Sequence, residues 1–244
     1  MPCSPPDYAH HSSPRPLFRL SGDRGLLVEL GSSIDPETNR LTRDMARGLE
    51  HRDVPGLLDV VPAYASFLII YDPQRTTASW LQEAVLSCLT QSPSHSTPKG
   101  NVVDIPVCYS DSFGPDLGTV AGHNGLKTEE VITIHTSSLY LIYMIGFAPG
   151  FPYLGGLDHR LHTPRLDTPR SRVEAGSVGI ANNQTGIYPI SSPGGWQIIG
   201  RTPLRLFAPE REDPVPYYRP GDQLRFVSIS EQEYYRLARE QTNG

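Results

Sequence analysis

The chain has 244 residues and a formal net charge of −5, a length that suits one large domain or two small ones with a buried core. Only two lysines and no basic run are present, which argues against a nucleic-acid partner. No apolar window is long enough to cross a membrane and the three cysteines are widely spaced, so we expect a cytoplasmic protein with reduced thiols and no membrane span.

The first half of the chain predicts a small α+β domain at 17–92, after a tail at 1–16 that is rich in Pro, Ser and His and expected to be disordered. Apolar runs and amphipathic segments alternate in the order ββαββα, which favours a ferredoxin-like α/β sandwich of helices on one sheet. Asp35 followed by Pro36 predicts the start of the first helix. In the second helix, apolar periodicity predicts a buried face made of Trp80, Leu81, Ala84, Val85, Cys88 and Leu89.

The second half of the chain predicts a different architecture. Residues 91–101 have the composition of a linker, and 100–232 opens with a strand and two short helices. From Val173 onward, short strands alternate with turns at close spacing, which favours a closed or nearly closed β-barrel. Ser230 and Glu233 form a capping-box pattern, so we expect a final helix and a short tail at 231–244.

Two prolyl-arginine pairs lie in the glycine- and proline-rich stretch from Ile145 to Arg201. If the chain is extended, Arg165 and Arg170 are about 15 Å apart, so they face one anion together only where the chain bends between them. One interpretation is recognition of a carboxylate or a phosphate through guanidinium forks. The other is a set of surface or intersubunit ion pairs.

The segment Gly194-Gly195-Trp196-Gln197 is the second candidate site. Two glycines let a ligand or a neighbouring backbone approach closely and expose N–H groups to an anion or a carbonyl oxygen. Trp196 offers a stacking surface, and the Gln197 amide can pair with another amide. A tight turn around a core tryptophan is the alternative.

Three aromatic residues and one histidine complete the candidates. Phe151, Tyr153 and Tyr188 are interpreted either as substrate-binding residues of a pocket wall or as a corner of the core. His135 is either an acid or base, because its pKa lies near neutrality, or a structural histidine near a helix end. No cysteine or carboxylate cluster accompanies the histidines in the sequence, so no metal site is predicted.

Two catalytic motifs are missing from the sequence. It contains neither a phosphate-binding G-x-x-x-x-G-K-[ST] loop nor a G-x-S-x-G nucleophile elbow. The sequence therefore supports neither a Walker-type ATP site on this chain nor a single-chain enzyme with its own nucleophile.

Several long motifs in a fixed order carry a family resemblance that covers about residues 16–232. They are IGFAPGFPYLGGLD from Ile145, TPRLDTPRSRVEAGSVGIA from Thr163, QTGIYP from Gln184 and SPGGWQIIGRTPL from Ser192. With these motifs the chain resembles the B subunit of ATP-dependent 5-oxoprolinase, a family also called KipI or allophanate hydrolase subunit 1. The same unit forms subdomains C and D of the carboxyltransferase domain of urea carboxylase.

The resemblance implies a fold, partners and a reaction. The fold is an α+β domain followed by a cyclophilin-like barrel, and the partners are a homologous C subunit (KipA-like) and, in the oxoprolinase, an A subunit. The reaction opens the lactam of 5-oxoproline to glutamate and hydrolyses ATP, which is expected for the complex, with no metal or biotin attached to this chain. In such a site Arg165 and Arg170 would bind an anion, and the segment 194–197 would stabilise a developing oxyanion.

The resemblance leaves two other functions open. A KipI-like inhibitor of a histidine kinase would be a binding module that needs no C subunit. A carboxyltransferase component of a urea carboxylase or allophanate system would need separate partners, because the chain has no biotin-accepting Met-Lys-Met sequence.

Overall fold

The computed structural model describes residues 16–90, 100–208 and 217–243. The predicted disordered tail at 1–16 and the predicted linker at 91–101 lie almost wholly outside these ranges. Contacts between residues divide the chain into two compact units, 1–96 and 97–244, and each unit has its own hydrophobic core. The finer domain bounds, 17–92 and 100–232, stay a prediction.

The N-terminal unit is a four-stranded antiparallel sheet with two helices. Its elements are β1 (Leu17–Ser21), β2 (Gly25–Glu29), α1 (Pro36–Glu50), β3 (Leu57–Pro62), β4 (Ser66–Tyr71) and α2 (Ala78–Thr90). The strand order β1-β2-β4-β3 is that of a ferredoxin-like β-α-β-β-α-β sheet whose last strand has moved to the front of the chain. The α+β prediction is confirmed.

Local sequence signals account for the two helix starts. Asp35 is the N-cap of α1 and accepts a hydrogen bond from the Thr38 backbone N at 2.7 Å, as predicted. Thr77 accepts a hydrogen bond from the Trp80 backbone N at 3.2 Å at the start of α2. The predicted burial of Trp80 is wrong, because its side chain is 44% exposed. Trp80 lies about 100° around the helix from Leu81, at the edge of the buried stripe that contains Leu81, Ala84 and Val85.

The C-terminal unit contains the remaining elements of the chain. They are β5 (Val102–Cys108), α3 (Leu117–Asn124), α4 (Thr128–Ser137), β6 (Leu139–Ile145), β7 (Pro152–Gly155), a single 3-10 turn (His159–Leu161), β8 (Arg170–Val173), β9 (Ser177–Ala181), β10 (Gln184–Ile187), β11 (Ser192–Gly194), β12 (Gln197–Arg201), β13 (Gln223–Ile229) and α5 (Glu231–Asn243).

Seven of these strands form one sheet in the order β10-β9-β12-β5-β13-β6-β7. Its pairs are antiparallel except for β5 with β13, which are parallel. The two edge strands, β7 and β10, lie side by side, so the sheet curls into a nearly closed barrel. The barrel prediction is confirmed, and β8 and β11 form a separate two-stranded ribbon.

The barrel interior and the inner faces of α3 and α4 form the main core of this unit. A second group of buried side chains, which we call the aromatic cluster, consists of Phe151, Val173, Ala181, Tyr188, Trp196 and Ile198. In the described ranges no helix is long and apolar enough to cross a membrane.

Candidate functional site

The two candidate motifs lie next to each other in the structure. Arg170 begins β8 and pairs with Gly194 on β11. The Leu166 backbone N donates to the Gly195 carbonyl at 2.8 Å, and Gln197 Nε2 donates to the Pro164 carbonyl at 3.0 Å. The segment that carries both arginines therefore runs alongside the segment 194–197.

A buried carboxylate that the sequence analysis did not single out holds Arg170 in place. Asp116, which precedes α3, is 7% exposed and accepts a hydrogen bond from Arg170 Nη2 through Oδ1 at 2.7 Å. Its second oxygen, Oδ2, accepts from the Ile198 backbone N at 2.6 Å, and its own backbone N donates to the Ile198 carbonyl at 2.9 Å. Arg170 Nη1 also makes a longer contact of 3.4 Å with the Trp196 carbonyl. The guanidinium plane is thus fixed relative to β12.

The second arginine of the pair is exposed. Within the described residues Arg165 makes no ion pair, whereas the side chain of Arg170 is 33% exposed and paired with Asp116. Burial raises the pKa of the Tyr188 hydroxyl, while a hydrogen bond from the Trp196 backbone and the charges of Arg165 and Arg170 act in the opposite direction. Both arginines therefore lie near the same hydroxyl, which makes this the most cationic part of the candidate site.

The predicted aromatic residues are mostly core residues. Phe151 and Tyr188 are each 2% exposed and Trp196 is 8% exposed. The Phe151 ring packs edge-to-face on Trp196, with a centroid distance of 5.7 Å, and on Tyr188 at 5.8 Å. Tyr153 is half-buried and contacts Phe151 at 5.2 Å. These rings form one packed cluster, and the Tyr188 hydroxyl lies against Gly194.

The two glycines of the second motif have different surroundings. A Cβ atom at Gly194 would overlap the Tyr188 hydroxyl and would lie 2.8 Å from its Cζ atom. A Cβ atom at Gly195 would meet only Pro169, at an ordinary contact distance of 3.5 Å. The position of the Tyr188 ring therefore requires a glycine at 194. At 195 there is room for a small side chain.

This difference gives a matched pair of variants. We expect Gly194→Ala to reduce the free energy of unfolding by about 1–3 kcal/mol, because Tyr188 must move within a packed cluster. Gly195→Ala should leave it within about 1 kcal/mol of the original protein. Urea unfolding of both variants measures the two values. Equal stabilities would mean that the Tyr188 ring is not fixed over Gly194.

His135 lies in the core. It is fully buried on α4, and its ring stacks on Phe226 with a centroid distance of 4.4 Å. The Thr185 hydroxyl donates to the Gly179 carbonyl at 3.0 Å, so it must accept from His135 Nε2, also at 3.0 Å. His135 Nδ1 then accepts from the Tyr109 hydroxyl at 2.8 Å. Both ring nitrogens are occupied by groups other than those that contact the arginines, which favours the structural interpretation of His135.

Burial lowers the pKa of His135 to about 3, and this predicts an effect of pH on stability. The unfolded state binds a proton below a pH of about 6.5 while the folded state does not, so stability falls as pH decreases from that value toward 3. We expect a loss of about 1 kcal/mol between pH 7.5 and 5.5 from this residue. His135→Gln should remove that part of the pH dependence in urea unfolding. The control is His159→Gln, at an exposed histidine, which should retain it.

Comparison with known proteins identifies the family. A family model described as "Carboxyltransferase domain, subdomain C and D" matches residues 16–217. The chain belongs to this family. It is 42% identical over 229 residues to the Bacillus subtilis protein named as the B subunit of 5-oxoprolinase, a match that covers 90% of this chain and 95% of that protein. A protein of the same name from Escherichia coli O157:H7 is 39% identical over 212 residues, covering 87% of this chain and 95% of the relative.

Solved structures extend the family likeness to the fold. A structure of the Kluyveromyces lactis urea carboxylase matches 95% of this chain and 23% of its own, with a TM-score of 0.76 at 21% identity, which shows the fold alone. A protein from Pyrococcus horikoshii matches 89% of this chain and all of its own, with a TM-score of 0.53 at 43% identity. The resemblance to the carboxyltransferase family that the motifs predicted is confirmed.

Proposed function

We propose that this chain is the B subunit of an ATP-dependent 5-oxoprolinase, which converts 5-oxoproline, ATP and water to glutamate, ADP and phosphate. The observation that carries the proposal is the match along nearly the whole chain to proteins named as 5-oxoprolinase B subunits, at 42% and 39% identity. The chain would act with a homologous C subunit, and with an A subunit, and would not be active alone.

The geometry supports a site with two parts, one that binds an anionic group and one that binds the lactam amide. Arg170, which is oriented by Asp116, and the exposed Arg165 suit a carboxylate or a phosphate. The adjoining segment 194–197 offers backbone N–H groups and an amide side chain to the lactam. His135 is buried with both nitrogens bonded, so the chain offers no evident base at this place. The other subunits of the complex would supply the groups that activate water.

ATP is assigned to the complex and not to a nucleotide fold of this chain. The sequence has no phosphate-binding loop, and Lys127 is used as the N-cap residue of α4. Both arginines suit an anionic group such as a carboxylate or a phosphate. The chain's own contribution is therefore binding and orientation of the substrate.

The test is purification of the tagged chain from its own cells, followed by assay of the copurified complex. We expect homologous partner subunits to copurify and ATP hydrolysis to depend on 5-oxoproline, with glutamate formed in equal amount. The chain alone should show no turnover. A copurified complex that hydrolyses ATP without regard to 5-oxoproline, or capture of a histidine kinase in place of the C subunit, would contradict the proposal.

Carboxyl transfer is the second candidate function. The Saccharomyces cerevisiae urea amidolyase is 25% identical to this chain in a match that covers 95% of this chain and 14% of that protein. Identity is lower than for the proteins named as 5-oxoprolinase B subunits, so this function ranks second. A copurified biotin-carrying subunit, with urea-dependent ATP hydrolysis, would favour it.

A further inference from the structure

Gln197 has a buried acceptor with no partner. The residue is 6% exposed, and its Oε1 atom is buried without a hydrogen bond, the one such side-chain atom found among the described residues. A buried polar atom that lacks a hydrogen bond carries a desolvation cost that native proteins usually avoid. This atom lies in the segment that borders both arginines, so the cost falls at the candidate site.

The orientation of the Gln197 amide is fixed by its neighbour. The amide nitrogen Nε2 donates to the Pro164 carbonyl at 3.0 Å. A carbonyl oxygen can only accept, so rotating the amide by 180° would place two acceptors against each other. The free oxygen is therefore a property of the fold, and whatever satisfies it must donate a hydrogen.

The neighbours of Gln197 point to a class of ligand. Its amide group lies against Pro164, the residue before Arg165, and the Trp196 carbonyl, one residue before Gln197, is 3.4 Å from Arg170 Nη1. An acceptor in a segment that adjoins both arginines suits a small molecule with an N–H donor near a carboxylate. A cyclic amide acid has both groups, whereas a lactone acid has only the carboxylate.

We propose that Gln197 Oε1 accepts the ring N–H of the lactam substrate and so selects lactams over lactones. This inference rests on the proposed function, and it adds a specificity-determining residue to the 5-oxoprolinase site. The two ends of the Gln197 amide then have different roles. Nε2 donates to the Pro164 carbonyl and fixes the Pro164–Arg165 backbone, and Oε1 accepts a hydrogen bond from the substrate. A lactone has no ring N–H, so it would leave Gln197 Oε1 buried without a hydrogen bond. The cost of that unpaired oxygen favours the lactam over the lactone.

The experiment compares two substrates in the purified complex. The probes are 5-oxoproline and its ring-oxygen analogue, 5-oxotetrahydrofuran-2-carboxylate, and the readout is the ratio of their kcat/KM values. The variant Gln197→Met keeps the length of the side chain and removes the acceptor. We expect the preference for the lactam to fall by roughly 10- to 100-fold, because a buried hydrogen bond to the ligand is lost. The intrinsic reactivity of the lactone affects the kcat/KM ratio of the original complex and that of the variant equally. It therefore cancels when one ratio is divided by the other.

A matched control makes the same change elsewhere. Gln223→Met, at the start of β13, should leave the preference unchanged. Thermal unfolding checks folding, and Gln197→Met should shift Tm by less than about 4 °C, because removal of the unsatisfied Oε1 atom offsets loss of the hydrogen bond to Pro164. A folded Gln197→Met complex that keeps the original preference would overturn the inference and would assign the acceptor to an ordered water. Absence of lactam turnover in the unmodified complex would instead overturn the proposed function.

Discussion

Trp196→Ala is expected to reduce the free energy of unfolding by about 3–5 kcal/mol, because it empties the centre of the aromatic cluster. Trp196 is 8% exposed, and its ring packs edge-to-face on Phe151 and on Tyr188 at centroid distances of 5.7 Å and 6.3 Å. Gly186 on β10 has no side chain, and a Cβ atom there would lie only 3.0 Å from the Trp196 ring. The tryptophan therefore fills a space shaped for it.

The chain offers a matched control for this variant. Trp80 is the only other tryptophan, and it is 44% exposed on α2. Trp80→Ala should change the free energy of unfolding by less than about 1 kcal/mol. Urea unfolding followed by circular dichroism compares the two without relying on tryptophan fluorescence. If Trp196→Ala were as stable as Trp80→Ala but lost substrate binding, Trp196 would be a ligand-stacking residue and not a core residue.

Arg170→Ala is expected to reduce kcat/KM of the purified complex for 5-oxoproline by about 100-fold, because the anion loses a preorganised cation. The same change should also lower the free energy of unfolding by about 1–3 kcal/mol, since it leaves the Asp116 carboxylate buried without its cation. Activity and stability therefore both decrease, and a further variant is needed to separate them.

Two variants separate the role of Arg170 in binding from its role in folding. Arg170→Lys keeps a cation for Asp116 and should recover most of the stability, while activity stays low because the planar fork is lost. Combining Arg170→Ala with Asp116→Asn removes the unpaired charge and should recover stability without activity. Full activity of either variant would show that Arg170 serves only the ion pair with Asp116.

Local signals were sufficient for much of the fold. Asp35 and Pro36 mark the start of α1 because a helix cap depends on neighbours within three residues. Trp80 was misassigned because apolar character alone does not tell the buried stripe from the position beside it. The barrel followed from strand spacing. The parallel pairing of β13 with β5, in contrast, joins residues that are 121 positions apart, such as Arg225 and Asp104, and no local sequence pattern indicates it.

Residue type alone draws attention to Arg165, Arg170 and the segment 194–197, and the structure places the segment that carries both arginines beside 194–197. That these residues bind substrate stays a prediction. Asp116 was missed because its partner Arg170 is 54 residues away and carboxylates are common at loop ends. Gly194 has no room for a side chain whereas Gly195 does, and this difference depends on where the Tyr188 ring lies. A pair of adjacent glycines in the sequence does not indicate it.

The nearly closed barrel has one seam, where β7 and β10 lie side by side as the two ends of the sheet order. Pro152, which begins β7, has no backbone N–H to offer across it. At the seam, Phe151 and Trp196 both face Gly186, so side chains and not a backbone ladder hold the barrel shut. Parting these rings would widen the wall behind Tyr188 without breaking a strand pair. We therefore expect any change in barrel shape beside the arginines to begin at this seam and not at a paired position such as that of β12 with β9.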